Sequence, residues 1–392
     1  METQRRTAFY LILMMGLVSA FGDIVYESAR SISGPYLAFL GASAMVIGAV
    51  AGLGEFLGYG LRSVSGYLAD RTRAYWIATF IGYGLILCIP FLALAGSWRV
   101  AALLFTLERI GKAIRSPARD TILSHATHRT GRGWGFAIHE FLDQIGAILG
   151  PLVLSLAFHV SGNYRSGFHW LWLPSVLVIV FLALARWKVP NPETLEAGAL
   201  DNFVSPTHTS LPATFWHYAV FTFLSVAGFL SFPLLSLYWV KEGVVQPAWI
   251  PSLYAVAMGV DAVIALGVGK LYDRFGLNTL FAVPLFTLLV PISGFSTSPI
   301  LIGVSILLWG TVMSIHETTM RAAVADIAQT PKRATGYGIF NTIYGAGWFV
   351  GGSLLGWLYQ SAMSLLLWAV LILEVFAAAV FLVLIRRRGA LS

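Results

Sequence analysis

The 392-residue sequence predicts an all-α polytopic membrane protein, with twelve transmembrane helices arranged as two parallel six-helix repeats. Three observations carry that prediction. Hydrophobic residues make up 57% of the chain and charged residues 11%, against about 25% charged in an ordinary soluble domain. Apolar runs of about 20 residues recur from end to end, the length a helix needs to cross a hydrocarbon core of roughly 30 Å. A polar phrase between two such runs, GYLADRTR at 66–73, returns as GKLYDRFG at 269–276, which puts Asp70 and Asp273 203 positions apart. Hydrocarbon offers the backbone no hydrogen-bond partner, so only helices and closed barrels span it. These runs are too long and continuous for alternating barrel strands.

In order, the predicted spans lie near 8–30, 42–69, 75–97, 99–118, 134–160 and 167–186. The first follows Arg5 and Arg6 and has the layout of a signal peptide, but the many spans behind it favour an uncleaved first helix. The third holds the only cysteine, Cys88, which reads as a buried thiol, with neither a disulfide partner nor metal-ligand spacing. A long polar stretch, RWKVPNPETLEAGALDNFVSPTHTSLPAT, then separates the halves. Six further spans lie near 214–239, 248–271, 278–297, 299–320, 335–359 and 362–385. The expected organisation is a first six-helix bundle over 1–190, a cytoplasmic central loop over 191–213 and a second bundle over 214–392.

Orientation follows the distribution of lysine and arginine. With a cytoplasmic N-terminus, 20 of the 25 basic residues fall on inner segments and helix ends. Arg99, Arg165 and Lys241 remain outside, and Arg30 and Arg109 lie within spans. The net charge of +7 is therefore topological, and nucleic acid is excluded as a partner. Both termini are expected in the cytoplasm and the chain in the plasma or inner membrane, as a monomer in contact with lipid.

The repeat extends beyond the Asp-Arg loops. RDTILSHATHRTGRGWGF at 119–136 is answered by RAAVADIAQTPKRATGYGI at 321–339 with one residue inserted, so GWGF and GYGI each open the fifth span of a half. Six spans per half is an even number, so the halves share one orientation, with a substrate expected between them near the midplane. Six plus six spans, a polar central loop and Gly-x-Leu-x-Asp-Arg in both halves resemble the major facilitator superfamily over the whole chain. The first copy departs from that pattern, with Arg73 where a second glycine is expected and Ala74 where a base is expected. The second copy keeps Gly276 but follows it with Leu277, so the tight turn and its basic cluster are expected to be incomplete in both. The resemblance implies a conformational latch formed by Gly66, Asp70, Arg71 and Arg119, with Gly269, Asp273, Arg274 and Arg321 as its second-half counterpart. The two glycines would permit close helix approach, and Arg119 is the expected partner of Asp70.

Ionisable residues within spans are costly and so are candidates for function. Asp23, Glu27 and Arg30 fall at i, i+4 and i+7, on one face of the first helix; if that helix ended early they would be a wet outer loop instead. Glu55 sits near the middle of the second span, as a proton carrier, a cation ligand or half of a structural ion pair. Glu108, Lys112, Arg115 and Arg119 form a stripe down the inner end of the fourth span, with Arg109 deeper; this arginine is similar to that of proton-coupled members of the superfamily. In the fifth span His139 and Asp143 share a face, Glu140 is three residues from Asp143, and histidine beside carboxylates suits a proton relay. Gly146-x-x-x-Gly150-Pro151 resembles the fifth-helix motif of proton-driven antiporters and also suits ordinary close packing. The second-half equivalents of His139 and Asp143 are Asn341 and Gly345, with Tyr344 nearby and Asp261, His316 and Glu317 in neighbouring spans.

The expected function is secondary active transport of a small solute by alternating access, coupled to protons and leaning to efflux or antiport. Proton-driven uptake of a small solute or a metal ion is the alternative. No phosphate-binding Gly-Lys-Ser/Thr loop is present, so ATP is not the direct energy source, and no cofactor or dedicated metal site is expected. A membrane-embedded enzyme using His139 and Asp143 as acid and base would not call for the duplicated plan, and the protein is not expected to be an enzyme. A channel or a transport-dead sensor on the same fold is the third reading.

Overall fold

The computed structural model describes residues 2–130, 132–195, 211–327 and 333–389, with side chains for 5–127, 134–195, 211–324, 326–327 and 335–386. The expected central loop lies outside the described residues over 196–210, and the side chains of Arg129, Arg132, Lys332, Arg333, Arg387 and Arg388 lie outside them too. The first half is built from α1 (Glu2–Phe39), α2 (Ala44–Thr72), α3 (Tyr75–Gly84), α4 (Trp98–Thr130), α5 (Arg132–Ser161), α6 (Tyr164–Trp170) and α7 (Trp172–Lys188). The second half has α8 (Ala213–Gly228), α9 (Phe232–Lys241), α10 (Ile250–Phe275), α11 (Ala282–Gly294), α12 (Pro299–Ser314), α13 (Met320–Ile327), α14 (Arg333–Ser361) and α15 (Met363–Gly389).

Among the described residues nine helical stretches are long and apolar enough to cross a membrane. One of them, Pro247–Gly294, is 48 residues long and holds two crossings, α10 and α11. The other two expected spans are α4, whose charged stripe lowers its apolarity, and the glycine-rich α14. All twelve predicted spans thus fall on helix.

Several helices run past their predicted ends. Helix α1 continues to Phe39 instead of stopping near 30, so Asp23, Glu27 and Arg30 lie inside a helix rather than in a loop. Serines in this stretch bond to the helix itself, Ser28 Oγ to the Ile24 carbonyl at 2.5 Å and Ser31 Oγ to the Ser28 carbonyl at 2.6 Å. Helix α4 passes through Pro117 and ends at Thr130. A proline frees the carbonyl four residues back, here that of Ala113, and Ser65 Oγ of α2 donates to it at 2.7 Å. In the seventh span the helix breaks between α8 and α9, and Trp309 Nε1 donates to the Leu230 carbonyl in the break at 3.1 Å. In the tenth span α12 and α13 are joined by a π-helical turn, Ile315–Thr319, a form often found at functional sites. Cys88 is half-buried at the end of a short tight turn that follows α3.

The chain packs as two compact units, residues 1–31 with 61–203 and residues 32–60 with 204–392. In the first, Leu11, Ile12, Met15 and Val18 of α1 pack with Trp76 and Tyr83 of α3, Ile122 and Leu123 of α4, and Val178 and Leu182 of α7. The second includes the end of α1 and the first half of α2, so Glu55 is grouped with second-half helices.

Both Asp-Arg phrases close the helices they belong to: α2 ends at Thr72 and α10 at Phe275. The expectation of an incomplete turn is corrected here. Arg73 adopts a left-handed φ of 52°, and Gly276 at the matching position has φ 57° and ψ −141°. The first copy makes its turn with a residue that pays a steric penalty of roughly 1–2 kcal/mol in that conformation. Arg73→Gly is expected to raise the Tm of the detergent-solubilised protein, and Gly276→Ala to lower it, read by thermal unfolding of the purified full-length chain.

Candidate functional site

In the first unit, α1, α4 and α5 bring most of the predicted charges together. Asp23 lies within electrostatic reach of Asp143, Lys112, Glu27 and Arg115, and Asp143 within reach of Arg119, His139 and Lys112. Glu27 is buried, with an oxygen 3.7 Å from Arg30 Nη1. Tyr26, one residue away and outside the sequence-predicted set, forms the hub: Lys112 Nζ is 4.0 Å and the Arg109 guanidinium 4.3 Å from its ring centre. Cations over a desolvated aromatic face gain about 2 kcal/mol, which helps to hold two like charges close together. His139 Nε2, Asp143 Oδ1 and the Tyr26 hydroxyl are buried and have no hydrogen-bond partner among the described residues. Three polar atoms left open among charges are available to bind a solute, a water or a proton.

Glu140, predicted as part of this cluster, is exposed, unlike His139 on the same helix. The packing motif does as its residue types imply. A Cβ on Gly146 would overlap the Ala20 carbonyl, and one on Gly150 would lie 2.5 Å from the Ile24 oxygen, so α5 lies backbone to backbone on α1. Pro151 is accommodated inside α5.

The predicted latch is only partly as expected. Gly66 packs against Pro117, with a Cβ placed there 3.3 Å from the proline Cβ, whereas among the described residues no atom lies within 4 Å of a Cβ on Gly269. Close helix approach therefore holds for the first copy alone. Asp70, Arg71, Asp273 and Arg274 are exposed. Asp70 accepts a hydrogen bond from the Tyr75 hydroxyl at 3.2 Å. Arg119 does not pair with Asp70 but binds its own neighbour Asp120 at 2.9 Å and donates to Ser19 Oγ at 2.8 Å. Sequence spacing placed both residues at the inner end of their helices but not the rotation of α4 that turns Arg119 to α1.

Deeper in α4, Glu108 and Arg115 form a closed pair at 3.0 Å, 1% and 2% exposed. Arg115 also donates to the Gly82 carbonyl at 3.4 Å and covers the Tyr83 ring at 4.9 Å. The sequence places these residues in one stripe at the inner end of the span, and the structure buries them.

The second unit has a site of another kind. Glu55 is buried near Tyr344, and Tyr59 meets the Tyr344 ring edge-on at 4.9 Å. Arg321 Nη2 lies 3.4 Å from the Tyr59 hydroxyl. His316, in the π-helical turn and 1% exposed, packs against Phe229 and Tyr344 at 5.2 and 5.9 Å. Both its ring nitrogens, the Tyr344 hydroxyl and Trp348 Nε1 are buried without a partner among the described residues. Asn341 is half-buried. The expected equivalence of His139 and Asp143 with Asn341 and Gly345 is corrected by one position: the match of GWGF to GYGI sets them against Thr342 and Ala346. Gly345 has no room for a side chain, since a Cβ there would be 2.8 Å from Phe56 Cα. Among the described residues, no three His, Cys, Asp or Glu side chains are grouped as a metal ion would require.

Removing one partner of a buried pair strands a charge and costs about 3–5 kcal/mol. Glu108→Gln is therefore expected to lower the Tm of the purified protein far more than Asp70→Asn, where the lost partner is a single exposed hydroxyl.

Twelve apolar crossings with ionisable side chains buried along them define a multi-pass membrane protein of the transporter class. A family model of the Major Facilitator Superfamily matches residues 7–352, and the chain belongs to that superfamily. It is 43% identical over 375 residues to an uncharacterised protein of Mycobacterium tuberculosis, covering 95% of this chain and 92% of the relative. It is 25% identical over 378 residues to the multidrug resistance protein MdtH of Photorhabdus laumondii, covering 91% and 88%. Among solved structures it shares the fold of the nucleoside transporter NupG, with a TM-score of 0.76 at 16% identity over 95% of this chain and 99% of that one.

Proposed function

We propose that this chain is a proton-coupled secondary active transporter that expels a small solute in exchange for protons. The observation that carries the reading is the gathering of Asp23, Asp143, His139 and Lys112 in the first unit. A carboxylate set in a field of mixed charges can release its proton when a cation enters or when a neighbouring base moves, which is the coupling an antiporter needs. Likeness to a relative named for multidrug resistance supports export, and the aromatic second unit supports a substrate with apolar surface. Proton-driven uptake uses the same groups in the opposite sense and differs only in the direction of net movement. The protein acts as a monomer in the cell membrane, with both termini in the cytoplasm.

The test uses proteoliposomes or everted vesicles with an imposed pH gradient and a cationic dye such as ethidium as the first probe. Wild type is expected to move the dye against its gradient and to collapse the pH gradient as it does so. Asp23→Asn and Asp143→Asn are expected to lose at least tenfold in gradient-driven rate, while one-for-one counterflow survives. Full pH-driven transport in both variants would remove protons from the mechanism at these residues. Counterflow also separates a carrier from a channel, because only a carrier exchanges bound solute.

Asp70 and Asp273 close their helices at matching positions, and the proposal assigns them to the change between conformations rather than to stability. Asp70→Asn is expected to reduce the transport rate severalfold with Tm unchanged. A wild-type rate would withdraw the latch.

A further inference from the structure

The last span contains a single acid, Glu374, on α15. It is 2% exposed. Its Oε2 accepts a long hydrogen bond of 3.4 Å from Ser225 Oγ, and its Oε1 has no partner among the described residues. Oε1 lies against Gly228, where a Cβ would overlap it. Gly228 is the last residue of α8, and the chain does not re-enter helix until Phe232. The carboxylate therefore stands beside the C-terminal turn of a helix that stops inside the span. Carbonyl oxygens without intrahelical donors concentrate negative potential at such an end. Ser231 Oγ in the break is also buried and has no partner among the described residues.

Among the described residues no charged group offsets this. Helix α13, hydrogen-bonded to α8 through Tyr218, carries Arg321 and Asp326, and His316 packs on Phe229 in the break. Helices α8 and α11 and the turn Gly276–Phe281 contain no Asp, Glu, Lys or Arg. On α8 the titratable groups are His217, whose Nδ1 lies 2.8 Å from the Ala213 carbonyl, and Tyr218, whose hydroxyl donates to the Met320 carbonyl at 2.6 Å. Helix α14 carries Arg333 at its first residue and three tyrosines, Tyr337, Tyr344 and Tyr359. On α15 itself the nearest base, Arg386, is twelve residues away, about 18 Å along the axis. A lone carboxylate beside a helix C-terminus, out of water, calls for a cation.

We propose that Glu374, Ser225 and the C-terminal turn of α8 form a monovalent-cation site, taken by a proton or a sodium ion, in the second unit. Broken spans place half-helix ends and unwound carbonyls where coupling cations bind, and the break here runs from Gly228 to Phe232. The site shares no residue with the Asp23–Asp143 cluster, and it stands whichever solute is carried.

The test reads occupancy, not transport, so its failure leaves the transport reading untouched. Infrared spectra of the purified full-length protein are recorded across pH in sodium-free choline buffer. Thermal unfolding is followed in NaCl against choline chloride at constant ionic strength. A proton site is expected to show a carboxylic-acid C=O band that grows on acidification and is lost in Glu374→Gln. A sodium site is expected to show a sodium-specific rise in Tm that is lost in the same variant. Ser225→Ala keeps the carboxylate and is expected to shift the proton or sodium midpoint by about tenfold, which tests the site even if Glu374→Gln does not fold. The proposal is overturned if wild type shows neither response, if Glu374→Gln retains them, or if Ser225→Ala leaves the midpoint unmoved.

Discussion

Apolar helices gain no hydrophobic free energy by leaving lipid for one another, so packing in this protein depends on how closely backbones approach. Glycine sets that distance. In the first unit Gly146 and Gly150 seat α5 on Ala20 and Ile24 of α1, and Gly82 and Gly111 face each other between α3 and α4. In the second unit Gly48 and Gly52 of α2 interleave with Trp348 and Gly352 of α14, and Gly351 rests on Ala227 of α8. These contacts bring α1, α4 and α5 near enough for Asp23, Asp143 and Lys112 to share one field. Without them the same charges would stand isolated in hydrocarbon, where each costs several kcal/mol.

The second requirement is that every backbone group freed inside the membrane finds a donor or acceptor. At Pro117 the freed Ala113 carbonyl is met by Ser65, and the neighbouring Gly66 lets α2 come close enough for that bond to form. At the α8–α9 break the Leu230 carbonyl is met by Trp309. That second repair is partial: the end of α8 also faces Glu374, and the buried Ser231 hydroxyl in the break has no partner among the described residues. A break closed on one side and open on the other leaves oxygen ligands without donors, the arrangement a cation completes.

The fold was legible because its signals are long. Twenty apolar residues in a row and a motif repeated at a fixed offset survive errors of several residues at each boundary. The helix ends were less legible. The run Ser-Ile-Ser-Gly-Pro after Arg30 has the composition of a stop, yet buried serines bond to their own helix and α1 continues. Convergence of Asp23 with Asp143 needed the structure; what could be read from spacing is that Asp23 and Glu27 share one face of the first helix, and His139 and Asp143 one face of the fifth. Rotation about the helix axis could not, and it decides that Arg119 meets Ser19 and Asp120 rather than Asp70, and that Glu140 is exposed. Tyr26 carries no signal of its own, because only the approach of α4 makes its ring a seat for Lys112 and Arg109. Glu374 did carry one: a single acid in an otherwise apolar final span has the same cost as the charges singled out in the first half.

The two units differ in what lines their fifth spans. With GWGF set on GYGI, His139 and Asp143 of the first half stand against Thr342 and Ala346 of the second, next to Gly345. Asp143 has space among basic groups. Gly345 has none, because Phe56 of α2 lies against its Cα face and any side chain would push the helices apart. His316 reaches its aromatic neighbours from the π-helical turn of another span. Close packing of α2 on α14 thus leaves no room for a side chain at Gly345, and His316 keeps two buried ring nitrogens without a partner among the described residues. Both units therefore bury ionisable side chains: the first gathers acids and bases around Tyr26, and the second sets Glu55 and Arg321 among the rings of Tyr59 and Tyr344.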